Sequence, residues 1–280
     1  VVHQNPVLNW GLPQLRDLPW RQTRDPWAIL VSEIMLQQTQ AERVVPKWKA
    51  FLEAFPTPCS CAAASLGDVL ALWLGLGYPR RARDVHLAAQ QICERSEFPQ
   101  SLEDLLALPG VGAYTARAVL AFAFERDAAV VETNIARVYA RVSGATLSAK
   151  QVQAAADEAL PAGEAWAWNQ CLMDLGASLC RPQNPNCGDC PLAMQCAWRG
   201  VGDDPAVGSA GVSGRQSRFE GSDRQGRGRL MKSVAGGPVH SRDLAMVMGW
   251  PDQYDRARRV AQSLVADGLL VVEHDRYRHP

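Results

Sequence analysis

Leu108-Pro109-Gly110-Val111-Gly112-Ala113-Tyr114-Thr115-Ala116-Arg117-Ala118 stands between two segments of helical hydrophobic period. Glycines at alternate positions, 110 and 112, tolerate positive φ and leave backbone N–H groups uncovered. At the start of the next helix, expected from Ala113 to Phe124, those N–H groups form a site for a phosphate oxygen. A glycine turn between helices more often only connects them. Taken alone, this pair does not separate the two uses.

The whole tract has the composition of a helix-hairpin-helix, a motif that holds nucleic-acid backbone without reading base sequence. Outward from it the chain is rich in Ala and Leu and nearly free of alternating runs. Apolar residues recur at helix spacing from Pro26 to Gln40, Val44 to Phe55, Val69 to Trp73 and Arg83 to Cys93. An all-α fold with short Gly/Pro loops is expected through about residue 200. Gly200 to Gly214 is glycine-rich with Ser, Ala and Asp, and residues 200–222 read as a mobile linker. Order returns in residues 223–280. Asp223 to Arg229 opens a helix, Arg242–Met248 and Tyr254–Ala266 are amphipathic, and Leu269–Glu273 with Arg276–Arg278 reads as a hairpin. That order suggests a small winged-helix module, serving either DNA contact or packing. No internal repeat is visible.

Downstream of the hairpin tract, Cys180, Cys187, Cys190 and Cys196 follow the pattern C-x6-C-x2-C-x5-C. Four thiolates this close in sequence can ring one soft metal centre, either an iron–sulfur cluster or zinc. The uneven spacing departs from the paired C-x2-C of a zinc ribbon and favours a [4Fe-4S] cluster. Two disulfides or a structural zinc remain the plainer alternatives. Cys59, Cys61, Cys93 and Cys171 are scattered and read as small hydrophobes. No secretory signal and no membrane-length apolar run is visible, so a reduced, cytoplasmic compartment without membrane association is expected. A chain that is 47% hydrophobic and 21% charged, with zero formal net charge, is globular and does not coat polyanions generally. A local basic face stays compatible with that balance.

These tracts join Leu18-Pro19-Trp20-Arg21, Ser32-Glu33-Ile34-Met35-Leu36-Gln37-Gln38-Thr39-Gln40, Gly75-Leu76-Gly77-Tyr78 and Asn169-Gln170 to Gly176. With them, residues 15–198 resemble the helix-hairpin-helix DNA glycosylase superfamily in its endonuclease III branch, and most of all its adenine-removing members. The resemblance implies a two-lobed fold. Residues 1–24 and 125–199 would form the iron–sulfur lobe and residues 25–124 a six-helix barrel. It also implies base excision from double-stranded DNA carrying adenine mispaired with 8-oxoguanine or guanine, by a nucleoid-associated monomer.

Breaking an N-glycosidic bond passes through an oxocarbenium-like transition state. It calls for an acid on the leaving base and an anion near C1′. Glu33 lies in an otherwise apolar run, so its carboxyl either points outward or occupies a special pocket. By resemblance it is the acid at adenine N7. Val131-Glu132-Thr133-Asn134 stands where the family carries an aspartate motif, and Glu132 is one methylene longer than that aspartate. It would do the same task with a backbone adjustment, serve a changed substrate, or mark a weakened enzyme. Asn134 would orient the carboxylate or the base. Tyr114 takes the position of the lysine of strand-cutting relatives and cannot form a Schiff base, which implies a monofunctional enzyme.

Gln38 and Tyr78, with Gln37 beside them, match residues that wedge into the base stack. Trp20 and Arg21 would line the adenine pocket, and Gly110, Val111 and Gly112 would hold backbone phosphate. Pro79 replaces a second tyrosine frequent in relatives. Residues 199–280 lack the β-rich pattern of the domain that reads 8-oxoguanine in longer relatives, so weaker discrimination between 8-oxoguanine and guanine is expected. Two other readings stay open: a mismatch thymine or uracil glycosylase, and a lesion-binding protein without catalysis.

Overall fold

A computed structural model of the protein describes residues 5–212 and 218–280. The chain divides into two compact units. The first comprises Val1–Leu30, Gln100–Leu106 and Val111–Arg215, and the second Val31–Pro99, Ala107–Gly110 and Gln216–Pro280. The expected boundaries were different: the helix after the hairpin falls in the first unit, and the C-terminal module falls with the barrel residues.

In chain order the helices are α1 (Pro6–Gly11), α2 (Pro26–Leu36), α3 (Ala41–Ala54), α4 (Pro58–Ala63), α5 (Leu66–Trp73), α6 (Arg80–Cys93), α7 (Leu102–Leu106), α8 (Ala113–Phe122), α9 (Thr133–Ser143), α10 (Ala149–Ala159), α11 (Ala165–Ser178), α12 (Asp223–Ala235), α13 (Leu244–Met248) and α14 (Tyr254–Ala266). Strands β1 (Val239–His240), β2 (Val271–Glu273) and β3 (Arg276–Arg278) form one antiparallel sheet in the order β1-β3-β2. Among the described residues no helix is long and apolar enough to cross a membrane.

The first unit is built on α11, which packs against α1, α8 and α9. Close approach decides two of these contacts. A Cβ on Gly11 would fall 2.5 Å from Cys171 Sγ, and one on Gly176 would fall 2.6 Å from Asn134 Cβ. Only glycine lets α1 and α9 lie this close to α11. The stretch expected as a mobile linker is instead fastened over residues 204–210. Asp204 pairs with Arg141, Leu147 N–H donates to Ser209 Oγ at 2.9 Å, and Ala206 and Ser209 are buried. Its small residues pack closely on the chain beside them. Within the expected linker, residues 213–217 lie outside the described residues, as do residues 1–4.

In the second unit α6 packs on α4 and α5, and α5 on α3. Capping sets the starts of the short helices: Thr57 and Ser60 close a capping box on α4, and Ser65 caps α5. Cys59 and Cys93, read above as isolated hydrophobes, are joined by a disulfide between α4 and α6, with Cα atoms 4.9 Å apart. Cys61 and Cys171 are free and buried, and burial pushes both thiols up to about 12. The C-terminal module runs α12-β1-α13-α14-β2-β3, the order of a winged helix. Its core includes Leu230, Met248, Val260, Leu264 and Tyr277, and Trp250 lies over Gly226, where no Cβ fits.

Candidate active site

α2 is apolar on nearly every side, with Trp27, Ile29, Leu30, Val31, Ile34 and Met35 at 1% exposure or less. Glu33 is 4% exposed among them. The outward-pointing alternative for this carboxyl is thereby removed. The helix does not reach Gln40 as its period suggested; it stops at Leu36.

At that end stands Arg81, which no sequence motif announced. Its Nη1 donates to the carbonyls of Ile34 (2.8 Å), Met35 (3.1 Å) and Gln37 (2.6 Å), and its Nη2 to those of Leu76 (3.0 Å) and Gly77 (3.2 Å). One guanidinium thus stitches the end of α2 to the Gly75–Tyr78 turn. Burial lowers it to about 10, while Tyr78 acts in the opposite direction. On either side of this bracket Gln38 (φ 57°) and Tyr78 (φ 47°) occupy the left-handed region, which L side chains rarely adopt. The structure brings the three expected wedge residues together: Gln37, Gln38 and Tyr78 line one cleft of the second unit.

At the hairpin, Gly110 has φ +75°, and a Cβ there would fall 2.8 Å from Asp84 Cβ. Gly112 is extended (φ −93°, ψ 178°) and opens α8 with no side-chain cap. Val111 is buried and anchors the turn. Tyr114, half-buried, lies in the first turn of α8.

Glu132 is the N-cap of α9, and its Oε1 accepts the Ile135 N–H at 2.9 Å. It keeps some surface open yet carries the desolvation of a buried group. Burial pushes its carboxyl above the usual range. The Asn134 and Ile135 N–H groups and the charges of Arg137 and Arg16 pull against the rise without cancelling it. Asn134 Oδ1 accepts from Arg137 Nη2 at 2.6 Å, and Arg137 also donates to the carbonyls of Gly176 (2.6 Å) and Cys180 (2.7 Å). Trp20 is buried. Arg21 is buried too, but its guanidinium is engaged within its own unit: Nη1 and Nη2 bond Asp174 at 2.8 and 2.9 Å. Burial alone would raise the Asp174 carboxyl; the bonds from Arg21 and Arg16 outweigh it and hold it below its usual range.

Cys180, Cys187, Cys190 and Cys196 line a single cavity with Val138, Leu175 and Leu192. Among the described residues no group of His, Cys, Asp or Glu is drawn tightly enough to grip an ion, so the thiols ring the cavity without closing on its centre. The donor set still fits a sulfur-ligated cluster. All four cysteines line one largely apolar space, Arg141 Nη1 lies 3.4 Å from Cys180 Sγ, and the Arg199 N–H lies 3.4 Å from Cys196 Sγ. Arg141 also donates to the Arg181 carbonyl at 2.7 Å and stacks on Trp198. Partners such as Asp174, Arg137 and Arg141 carry no motif. Only their position as charges on buried helix faces hints at them.

Residues 31–162 match the HhH-GPD family, described as HhH-GPD superfamily base excision DNA repair protein. The chain is 40% identical over 274 residues to adenine DNA glycosylase of Mycolicibacterium smegmatis, covering 94% of this chain and 91% of that protein. It is 41% identical over 273 residues to the protein of that name from Mycobacterium tuberculosis, covering 94% and 88%. Among solved structures, a thermostable thymine-DNA glycosylase superposes with TM-score 0.66 at 30% identity, covering 69% of this chain and 93% of that one. An endonuclease III in a non-covalent DNA complex does so with TM-score 0.61 at 24% identity, covering 69% and 91%, a likeness of fold. The chain belongs to this superfamily of base excision repair enzymes, in its adenine DNA glycosylase family. The matches to the two mycobacterial proteins cover too much of the chain to leave out the C-terminal module.

Proposed function

We propose that the chain releases adenine paired with 8-oxoguanine or guanine in double-stranded DNA, hydrolysing the N-glycosidic bond without cutting the strand. The observation that carries this reading is the burial of Glu33 in the apolar α2, a carboxyl set where an acid for a leaving base is needed. Glu132, fixed by the α9 N-terminus, supplies the anion beside C1′, and Asn134 and Arg137 hold that turn in place. Tyr114 offers no amine, so the product is an abasic site. Gln38 and Tyr78 fill the gap left when adenine is rotated out of the stack. The α8 N-terminus after Gly112 takes backbone phosphate. Cys180, Cys187, Cys190 and Cys196 would hold a [4Fe-4S] cluster, whose contribution is to close their loop around one centre.

Single-turnover assays on 8-oxoguanine:A, G:A, G:T and G:U duplexes test the proposal. Release of adenine, with no borohydride-trapped adduct, is expected. Binding without adenine release sinks the reading, and preferential release of thymine or uracil replaces it with the mismatch reading that the thymine-DNA glycosylase likeness makes specific.

A further inference from the structure

The cleft that holds Gln37, Gln38 and Tyr78 has a second wall that the glycosylase reading does not use. It has a volume of about 430 Å³, and Pro79, Arg80, Arg81, Arg227 and Asp267 complete its lining. Arg227 lies on α12 and Asp267 follows α14, so the C-terminal module supplies part of the space in which the wedge residues stand. Arg224, one turn before Arg227 on α12, reaches the Tyr78 hydroxyl at 3.4 Å.

Asp267 is the key to what this wall binds. Its Oδ2 meets Arg227 Nη2 at 2.6 Å, and its Oδ1 faces Arg80 Nε at 3.6 Å. The two oxygens thus bridge guanidinium groups from two different helices, α12 and α6. Arg80 remains 61% exposed. Arg81 spends its Nη donors on carbonyls and on the Thr39 hydroxyl and adds positive charge to the lining. One carboxylate therefore pairs with Arg80 and Arg227, Arg224 stands at the Tyr78 hydroxyl, and the three guanidinium groups leave a positive excess. An oxyanion with bidentate oxygens is the chemistry that matches such a fork arrangement, and a phosphodiester has it.

We propose that Arg80, Arg224 and Arg227 form a binding site for a backbone phosphate of the DNA strand that meets Gln38 and Tyr78, with Asp267 tempering its charge. This rests on the reading of the chain as a DNA glycosylase. It also gives the module an unusual use. In the helix-turn-helix pair α13–α14 the second helix is the ordinary DNA reader. Here the end of α14 is occupied instead: Arg227 donates to Ser263 Oγ, and Arg83 to the Asp267 carbonyl. From the first helix of the module, α12, Arg227 lines the cleft and Arg224 meets Tyr78, while Arg229 is spent on the Met248 carbonyl.

The test is equilibrium binding of the full holo-chain to an 8-oxoguanine:A duplex across a salt series. Each phosphate contact contributes roughly 0.9 to the slope of log K against log salt. Arg224→Ala and Arg227→Ala each lower the slope magnitude by about that amount, and the variants converge with wild type at high salt. Arg227→Lys, which keeps the charge, retains most of the slope, and this separates lost charge from a loosened module. Asp267→Asn strengthens binding at low salt. Unchanged slopes in both alanine variants overturn the proposal. So does a loss seen only with Arg258→Ala, since Arg258 lies exposed on α14 and reports the ordinary reading helix. An enzyme that releases adenine with unchanged slopes defeats the phosphate site alone. A chain that binds with the altered slopes but releases no base defeats the catalytic reading alone.

Discussion

At Glu132 the carboxylate that closes the first turn of α9 has, in the proposed reaction, also to stay ionised to face a developing cation. Burial works against that second duty by pushing the carboxyl upward, and the Asn134 and Ile135 N–H groups only moderate it. The sign of the consequence is fixed. A carboxyl raised in the folded state takes up a proton more readily than in the unfolded chain. Its contribution to stability is therefore full at low pH and is lost as pH rises through the raised value. Activity runs the other way, falling as pH drops through the same value. The pH profile of single-turnover adenine release should thus show an acid limb centred above the ordinary carboxylate range. Glu132→Gln keeps an acceptor for the Ile135 N–H and removes the charge. It should lower the rate by about 100- to 1000-fold while raising resistance to urea at neutral pH. A variant that loses rate and stability together would show that the carboxylate serves the fold and not the reaction.

At the scale of elements, the wedge turns are held against their own conformational preference. Gln38 and Tyr78 in the left-handed region cost roughly 1–2 kcal/mol each, and Arg81 holds the surrounding carbonyls in a bracket that imposes them. Arg81→Met should destabilise the protein by about 2–4 kcal/mol in urea titration, since it leaves buried carbonyls without donors. It should also weaken binding to lesion duplex more than to undamaged duplex; equal weakening would detach the turns from lesion contact. The disulfide Cys59–Cys93 closes a loop of 34 residues between α4 and α6, worth about 3–4 kcal/mol by chain entropy. Cys93→Ser should show that loss under non-reducing conditions and none under reducing ones. These two features also mark the limit of what the sequence discloses. The hairpin, α8 and the cysteine spacing are legible because their signals are local: alternate glycines, a 3.6-residue period, a fixed ligand interval. Arg21 with Asp174, Arg141 with Asp204 and the cysteine pair join residues far apart in the chain, and nothing periodic announces which distant charge or thiol will be the partner. Glu132 was legible as a position but not as a helix cap, because glutamate is an uncommon cap and only the folded turn reveals its reach.

Across the whole molecule the expected functional residues fall on both units: Glu33, Gln38 and Tyr78 on one, Glu132, Tyr114 and the four cysteines on the other. Within the first unit α9 is fastened at both ends. Its N-terminus carries Glu132 and Asn134, and its middle and C-terminal turns are bound through Arg137 and Arg141 to the carbonyls of Cys180 and Arg181. The cysteine segment has almost no regular structure and buries little beyond Leu192. With the proposed cluster joining the sulfurs, its shape depends on that centre, and the carbonyls that hold α9 depend on that shape. Removal of the metal should act at a distance from the sulfurs. A Cys190→Ser chain, or one stripped by chelation after reduction, should lose protease protection within residues 180–212 first. It should then lose single-turnover rate by on the order of 100-fold, the effect of a displacement of about 1 Å at the reacting groups. Holo-protein should carry about four irons per chain. Zinc in place of iron would correct the cluster assignment while leaving the mechanical argument intact. A metal-free chain that keeps both its full rate and its protease resistance would refute that argument, since α9 would then be held in place without the loop.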